Sequence, residues 1–362
     1  MTSISLYKPG FSGLQRSSLK KILVAGDSYV PVASFQMAFT PLLHDNSVRF
    51  FQMNENDRLN PATESEKTIR EYSGTPRQIV RELKDEEILV IHDAPVTDEV
   101  MDASPNLRLI GCARGGPVNV DVNAATKRRI KLVSAPGRNA EAVADYVLGV
   151  IIILARGLSR ANLFLREKRK FDRSAFASFF GHELGGKTLG LIGYGNVGSR
   201  VAKRALAFGM SIQVYDPFVP GSKIEAPGVR TTDLETLIRT SDFVSLHARE
   251  SPENVNMFGR AQFALMKNDA YFINSARGSL LDEDALLEAL TSKKIAGAAL
   301  DVLKKEPVSA DNPLVSMDNV FITPHIAGAS REVPLRGAEI IEKQIEKYIA
   351  GVPLEGVINP EV

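Results

Sequence analysis

Tryptophan is absent from the 362-residue chain, and cysteine occurs once, at Cys112. A single cysteine excludes an intrachain disulfide and a Cys-rich zinc site, and it suits a reducing compartment. A surplus of charge is also lacking: 44 Lys and Arg stand against 43 Asp and Glu, a formal net charge of +1. That balance offers no electrostatic footprint for coating nucleic acid or an anionic membrane. Long apolar runs are missing too. The longest, Tyr146 to Ala155, is about half of the roughly 20 residues that a membrane-spanning helix needs, and Asp145 and Arg156 bound it. The first 21 residues hold no apolar stretch of the kind a secretory signal carries. Residues 1–20 read as a loose tail, with an Arg/Ser-flavoured transit peptide as the alternative. The expectation is a cytoplasmic protein with neither a nucleic-acid nor a membrane partner.

What is present is an ordinary globular composition, 44% hydrophobic and 24% charged, which excludes wholesale disorder. The length predicts two domains. Short apolar runs alternate with amphipathic segments in a βαβ rhythm, which implies parallel strands with helices on both faces. Strands are expected at Lys21–Ala25, Ser47–Phe51, Ile88–Ile91 and Leu107–Cys112, with helices at Ala33–Leu43, Thr75–Leu83 and Val122–Lys127. The polar stretch Asn54–Tyr72 breaks the rhythm and reads as a surface loop. A single long helix is expected from Ala140, behind Asn139 as cap, to about Arg169, joining the two domains. Its second half and the residues after it carry Arg156, Arg160, Arg166, Lys168, Arg169, Lys170 and Arg173, read as a solvated face. A second series follows, with strands at Thr188–Ile192, Ser211–Tyr215, Phe243–Leu246, Ala270–Ile273, Ala296–Leu300 and Val320–Ile322. Six strands in this order are what a dinucleotide-binding fold needs.

Two glycine motifs compete within this series. Gly181 to Thr188 matches the P-loop pattern G-x-x-x-x-G-K-[ST], but that loop needs a strand before it and a helix after it. Here a strand follows. Gly193-Tyr194-Gly195-Asn196-Val197-Gly198 matches G-x-G-x-x-G with a strand before it and a helix after it. Gly193 suits the tight turn, Gly195 lets a pyrophosphate approach the backbone, and Gly198 lets helix and strand pack closely. The next strand ends at Asp216, whose carboxylate can accept the hydrogen bonds of a ribose diol and would repel a 2′-phosphate. These features predict NAD rather than NADP.

The segments Gly186–Gly198, Ser245-Leu-His247, Asn274-Ser-Ala-Arg-Gly278, Ala299-Leu-Asp-Val302 with Glu306-Pro307, and Thr323-Pro-His-Ile326 together resemble the D-isomer-specific 2-hydroxyacid dehydrogenases. The resemblance runs from about Lys21 to the C-terminus. It implies an α/β fold of two doubly wound Rossmann-like domains, with an NAD-binding domain (139–326) inserted in a discontinuous flavodoxin-like substrate domain (1–138 and 327–362). It implies an active site in the cleft between them and a homodimer formed through the long helix. The catalytic trio falls on Arg277, Glu306 and His325. A histidine can deliver the proton that carbonyl reduction needs, a glutamate can hold its other ring nitrogen, and an arginine offers a planar fork to a carboxylate. By the same resemblance His247, Asn254, Ala276, Asp301 and Gly328 lie on the cofactor side. The loop after Cys112, with Arg114, Gly115 and Gly116, holds the substrate carboxylate. Arg114 has two readings there, a charge for the substrate or a tie for the loop. No metal ligand set is expected.

Two departures bear on the substrate. Phosphoglycerate dehydrogenases usually carry an arginine near His92, and many members have one near Cys112; both are missing, which weakens a phosphorylated substrate without excluding it, since Arg114 or Arg249 could substitute. Glutamate rather than glutamine at position 306 argues against formate. The rival reading is an NADH-sensing corepressor, because such relatives keep the same trio.

Overall fold

The structure, a computed structural model, describes residues 19–54, 64–169, 179–224 and 226–362. The tail at 1–18, part of the expected surface loop, Lys170, Arg173 and most of the stretch before Gly181 lie outside the described residues. The chain divides into two compact units, Met1–Arg138 with Arg331–Val362, and Asn139–Ser330. The second crossing falls at 331 rather than 327, because Ala327 is buried in the core of the second unit.

The first unit is built on five parallel strands: β1 (Lys21–Gly26), β2 (Ser47–Gln52), β3 (Ile88–Ile91), β4 (Leu109–Cys112) and β5 (Lys131–Ser134). Their order is β2-β1-β3-β4-β5, the flavodoxin-like arrangement. All residues of β3 and β4 are buried, as a sheet covered on both faces requires. Helices α1 (Val32–Ala38), α2 (Pro76–Glu82), α3 (Asp98–Asp102) and α4 (Val122–Lys127) connect the strands. The cover is completed from far along the chain. A C-terminal helix, Val333–Ile349, buries Ala338, Ile341 and Ile345 in the same core as β1, β3 and β4. Beyond it, Ser134 N–H donates to Gly356 O (3.0 Å), and Asn359 accepts from Leu132 N–H (2.9 Å) and donates to Ile130 O (2.8 Å).

The second unit opens with α5 (Ala140–Arg156) and α6 (Leu158–Lys168). The single expected helix is thus two, bent by 63° at Gly157, whose φ of +59° is left-handed and ends α5. Glycine adopts that conformation without steric cost. The sheet contains β6 (Thr188–Ile192), β7 (Ser211–Tyr215), β8 (Val229–Thr231), β9 (Phe243–Leu246), β10 (Tyr271–Asn274), β11 (Gly297–Leu300) and β12 (Val320–Ile322). All pairings are parallel, in the order β12-β11-β10-β9-β6-β7-β8. Helices α7 (Asn196–Ala207), α8 (Gly221–Ile224), α9 (Leu234–Thr240), α10 (Arg260–Leu265) and α11 (Glu283–Thr291) connect them, and α12 is the returning helix Val333–Ile349. Sequence reading missed β5 and β8. Both are edge strands, and β8 buries one residue of three, so neither shows a long apolar run. Among the described residues no single helix is long and apolar enough to cross a membrane.

Helix α7 is tied to α5 by charge. Glu141 accepts from Arg200 Nε and Arg204 Nη2, both at 2.6 Å, and Arg204 Nε reaches Asp145 at 2.6 Å. This gives Asp145 a structural role. The Arg204 and Arg200 hydrogen bonds hold the Glu141 carboxyl down at about 2. A carboxyl that ionises at lower pH in the folded state stabilises above its unfolded value of about 4.3, and that contribution fades as pH falls towards the folded value. Glu141→Gln should therefore lower the urea midpoint near neutral pH, and the gap to the parent should close between about pH 5 and pH 2. A gap independent of pH would refute the charge origin.

Candidate functional site

In the second unit, the residues singled out by sequence follow the carboxyl ends of six strands. The glycine motif follows β6, Asp216 follows β7 and His247 follows β9. Ala276 and Arg277 follow β10, Asp301 and Glu306 follow β11, and His325 and Gly328 follow β12. The strand order reverses between β6 and β9, and ligands of doubly wound sheets bind outside the carboxyl ends at such a point.

The glycine motif forms a cradle. Gly193 has φ +102° and donates to Tyr215 O at 2.8 Å. A Cβ there would stand 2.7 Å from the His247 carbonyl carbon, and one at Gly198 would stand 2.2 Å from Gly193 O. These two glycines allow backbone to touch backbone. Gly195 differs: a Cβ there meets nothing within 4 Å. The backbone at Gly195 is open, at the N-cap of the 12-residue α7, where Asn196 and Val197 begin the helix. Helix N–H groups directed at an open cradle suit a pyrophosphate, so these residues fit a dinucleotide.

Asp216 is partly engaged within the protein. Its Oδ2 accepts from Tyr194 N–H (2.7 Å), and its Oδ1 accepts from Phe218 N–H (2.8 Å) and Val219 N–H (3.1 Å). A carboxylate has about four lone-pair directions, so capacity for a ribose hydroxyl remains. His247 bonds Ser245 Oγ through Nε2 (2.9 Å), and burial pushes its imidazole down to about 4, so it is neutral near pH 7. Asn254 uses its side chain locally, accepting from Ser251 N–H (2.8 Å) and donating to Arg249 O (2.7 Å). It folds its own loop. Gly328 packs against Asn139, with a Cβ there standing 2.5 Å from Asn139 Nδ2.

His325 and Glu306 are brought together. His325 Nδ1 lies 2.8 Å from Glu306 Oε2, and Glu306 Oε1 accepts from Leu303 N–H at 3.0 Å. The imidazole is half-exposed, and Nε2 has no partner among the described residues. Arg277 is exposed and donates one N–H to its neighbour Ala276 O at 2.7 Å. Its loop is pressed on that of Glu306: a Cβ on Gly278 would stand 2.1 Å from the Leu303 carbonyl carbon. Beneath His325, Asp301 is only 2% exposed. It accepts from Thr323 Oγ1 (2.5 Å), Ile326 N–H (2.8 Å) and Ala327 N–H (2.8 Å). Sequence reasoning missed Gly278 and Thr323 as parts of this support, although both lie inside motifs it used.

The first unit holds the other loop. Arg114 spends its fork on Glu71 O (2.6 Å), Glu71 Oε2 (2.5 Å) and Asp93 Oδ1 (2.8 Å), so its bonds are those of the loop tie. The Gly115 and Gly116 amides have no acceptor among the described residues. Asp27, His92 and Asp93 gather ligand-type atoms within 4.8 Å, with the Arg114 guanidinium already serving as the cation on Asp93. The P-loop reading fails on geometry. Thr188 opens strand β6, and a Cβ on Gly181 would stand 2.3 Å from Ala155 O of α5.

Residues 148–327 match the profile described as D-isomer specific 2-hydroxyacid dehydrogenase, NAD binding domain. The hydroxypyruvate reductase of Thermotoga maritima is 40% identical over 270 residues, 74% of this chain and 86% of that protein. The chain belongs to the D-isomer-specific 2-hydroxyacid dehydrogenase family. Another member, the D-3-phosphoglycerate dehydrogenase of Archaeoglobus fulgidus, is 41% identical over 283 residues, 78% of this chain, and the chain spans only 53% of that protein's length. The apo-structure of D-lactate dehydrogenase from Escherichia coli superposes with a TM-score of 0.72 at 25% identity, covering 93% of this chain and 99% of that one. As in the family, the second unit is an NAD-binding domain.

Because a Cβ at position 195 meets open space, Gly195→Ala should fold with an unchanged melting temperature yet bind NADH at least about tenfold more weakly, the methyl standing where the pyrophosphate must approach. Nicotinamide fluorescence titration reads the affinity. Unaltered binding would remove Gly195 from the cofactor site.

Proposed function

We propose that the chain is an NAD-dependent dehydrogenase that interconverts a 2-keto acid and an (R)-2-hydroxy acid. The observation that carries this is His325, with Nδ1 held by Glu306 and Nε2 free, at the carboxyl edge of an NAD-binding sheet. Bound nicotinamide supplies the hydride for the 2-carbon in reduction and accepts it in oxidation. His325 Nε2 gives a proton to the carbonyl oxygen in reduction and recovers it from the hydroxyl in oxidation. Glu306 fixes the ring so that Nε2, not Nδ1, faces the reacting oxygen. Arg277 has guanidinium N–H groups left for the substrate carboxylate or carbonyl. Gly115 and Gly116 are assigned to the carboxylate because their amides lack acceptors.

The substrate is proposed to be unphosphorylated. At the end of β3, where phosphoglycerate dehydrogenases usually carry an arginine, this chain has His92 and Asp93, and Arg114 is committed to Asp93 and Glu71. The name of the Thermotoga relative makes hydroxypyruvate a natural first substrate.

A homodimer and a cytoplasmic location are part of the same proposal. Helix α6 buries no residue and exposes Leu158, Leu163 and Leu165, apolar surface that a second copy can cover. The only thiol, Cys112, is buried and pushed up to about 12 by that burial, so it is chemically quiet and needs no oxidising compartment. Light scattering should give twice the chain mass, and Leu163→Glu should shift it to one; a parent monomer would refute the dimer.

The purified protein should oxidise NADH with one or more of glyoxylate, hydroxypyruvate, pyruvate and branched or aromatic keto acids, and do so poorly with phosphohydroxypyruvate. His325→Ala should abolish turnover and leave NADH affinity nearly unchanged. Equal loss of both would overturn the role of His325. Silence across the panel with NADH still bound would favour the corepressor-like reading.

A further inference from the structure

His325 stands on backbone that a histidine rarely adopts, with φ +55°. Its own N–H donates to Asp301 O at 2.9 Å, and the two amides after it close on the Asp301 carboxylate. The conformation of the histidine therefore depends on where Asp301 and Thr323 sit. The Thr323 hydroxyl makes one further contact. Tyr146 Oη, on α5, lies 2.7 Å from Thr323 Oγ1. The direction of this bond is determined. A carboxylate only accepts, so Thr323 must give its proton to Asp301, and Tyr146 must then give its proton to Thr323. Burial, first of all, pushes the Tyr146 phenol up to about 12, so the hydroxyl keeps the proton it donates.

We propose that Tyr146 is a positioning residue for His325, acting through the one-way chain Tyr146 to Thr323 to Asp301. The proposal rests on the reading of His325 as the proton carrier. A second contact supports it. Gly328 packs on Asn139, and Asn139 and Tyr146, seven residues apart, lie roughly two turns along one face of the same helix segment. The loop 323–328 is thus seated on α5 at two points. One is steric at Gly328, and the other is the hydroxyl pair at Thr323. The helix enters the second unit at residue 139, and the loop precedes the chain's departure at 331.

Tyr146→Phe is the test, because the ring remains in the core it packs against. Its loss should speed amide hydrogen exchange at Ile326 and Ala327 about fivefold, the weight of one net hydrogen bond, with strand amides of β6 and β10 unaffected. Turnover should fall by a similar factor, with the KM for keto acid and the affinity for NADH unchanged. Thr323→Val should do more, and adding Tyr146→Phe to it should do nothing further, since the relay is already cut. Unchanged exchange at Ile326 and Ala327, additive effects in the double variant, or faster exchange with full turnover would each overturn the proposal. If the parent itself reduces no keto acid, the dehydrogenase reading fails, and the exchange cycle still decides whether Tyr146 holds the His325 loop.

Discussion

A buried carboxylate organises the chemical end of the second unit. An acid as enclosed as Asp301 costs on the order of several kcal/mol unless donors surround it. The donors here are the hydroxyl of Thr323 and the amides of Ile326 and Ala327. Supplying them forces the chain after β12 to fold back over Asp301, and the residue at the apex of that fold is His325. Its left-handed backbone, disfavoured by about 1–2 kcal/mol for an ordinary residue, is the strain that remains. The imidazole is then carried towards Glu306, whose other oxygen is anchored on the Leu303 amide. His325 and Glu306 are exposed, but the Asp301 carboxylate that seats their loop is not.

The cofactor side depends on the opposite condition, closeness without side chains. Gly193, Gly198 and the backbone of His247 meet at distances that no Cβ would permit. That contact sets the start of α7 against the sheet and leaves Gly195 facing open space. The Glu141, Arg200 and Arg204 ion pairs then hold α7 on α5 from its far side. Ion pairs exposed to this degree contribute little individually. Their value here is orientation of one helix against another.

The sequence made the strand series of the second unit readable, because each buried parallel strand is a short apolar run with a turn after it. Phe243–Leu246 and Thr188–Ile192 match the structure residue for residue. The glycine motif and the residues Arg277, Glu306 and His325 stood out because they fall in short motifs directly after strands. Three features were not. The split of the long helix turned on one glycine whose φ no pattern displays. Asn254 and Arg114 carry side chains suited to ligands, yet their hydrogen bonds go to local backbone and to residues far away in sequence, as with Arg114 and Glu71. Tyr146 lay in the longest apolar run of the chain, where its hydroxyl gave no signal against the packing of its ring.

The first unit has an unusual biography. Its sheet is translated early, yet the helix that covers it starts only at Val333, and the asparagine that satisfies the amide of Leu132 lies 227 residues beyond it, after the whole second unit has been made. The entropy of closing so long a loop grows only slowly, by about 0.6 kcal/mol for each doubling, so the finished fold tolerates the detour. During synthesis the cost is time rather than free energy. Strands β1 to β5 emerge with one face only partly covered, by Phe35, Phe39 and Leu42, and Ile22, Val24 and Val90 are among the residues awaiting Ile341 and Ile345. The second unit, continuous in sequence, can fold first. A chain cut before residue 333 would lose part of that unit's core rather than a tail.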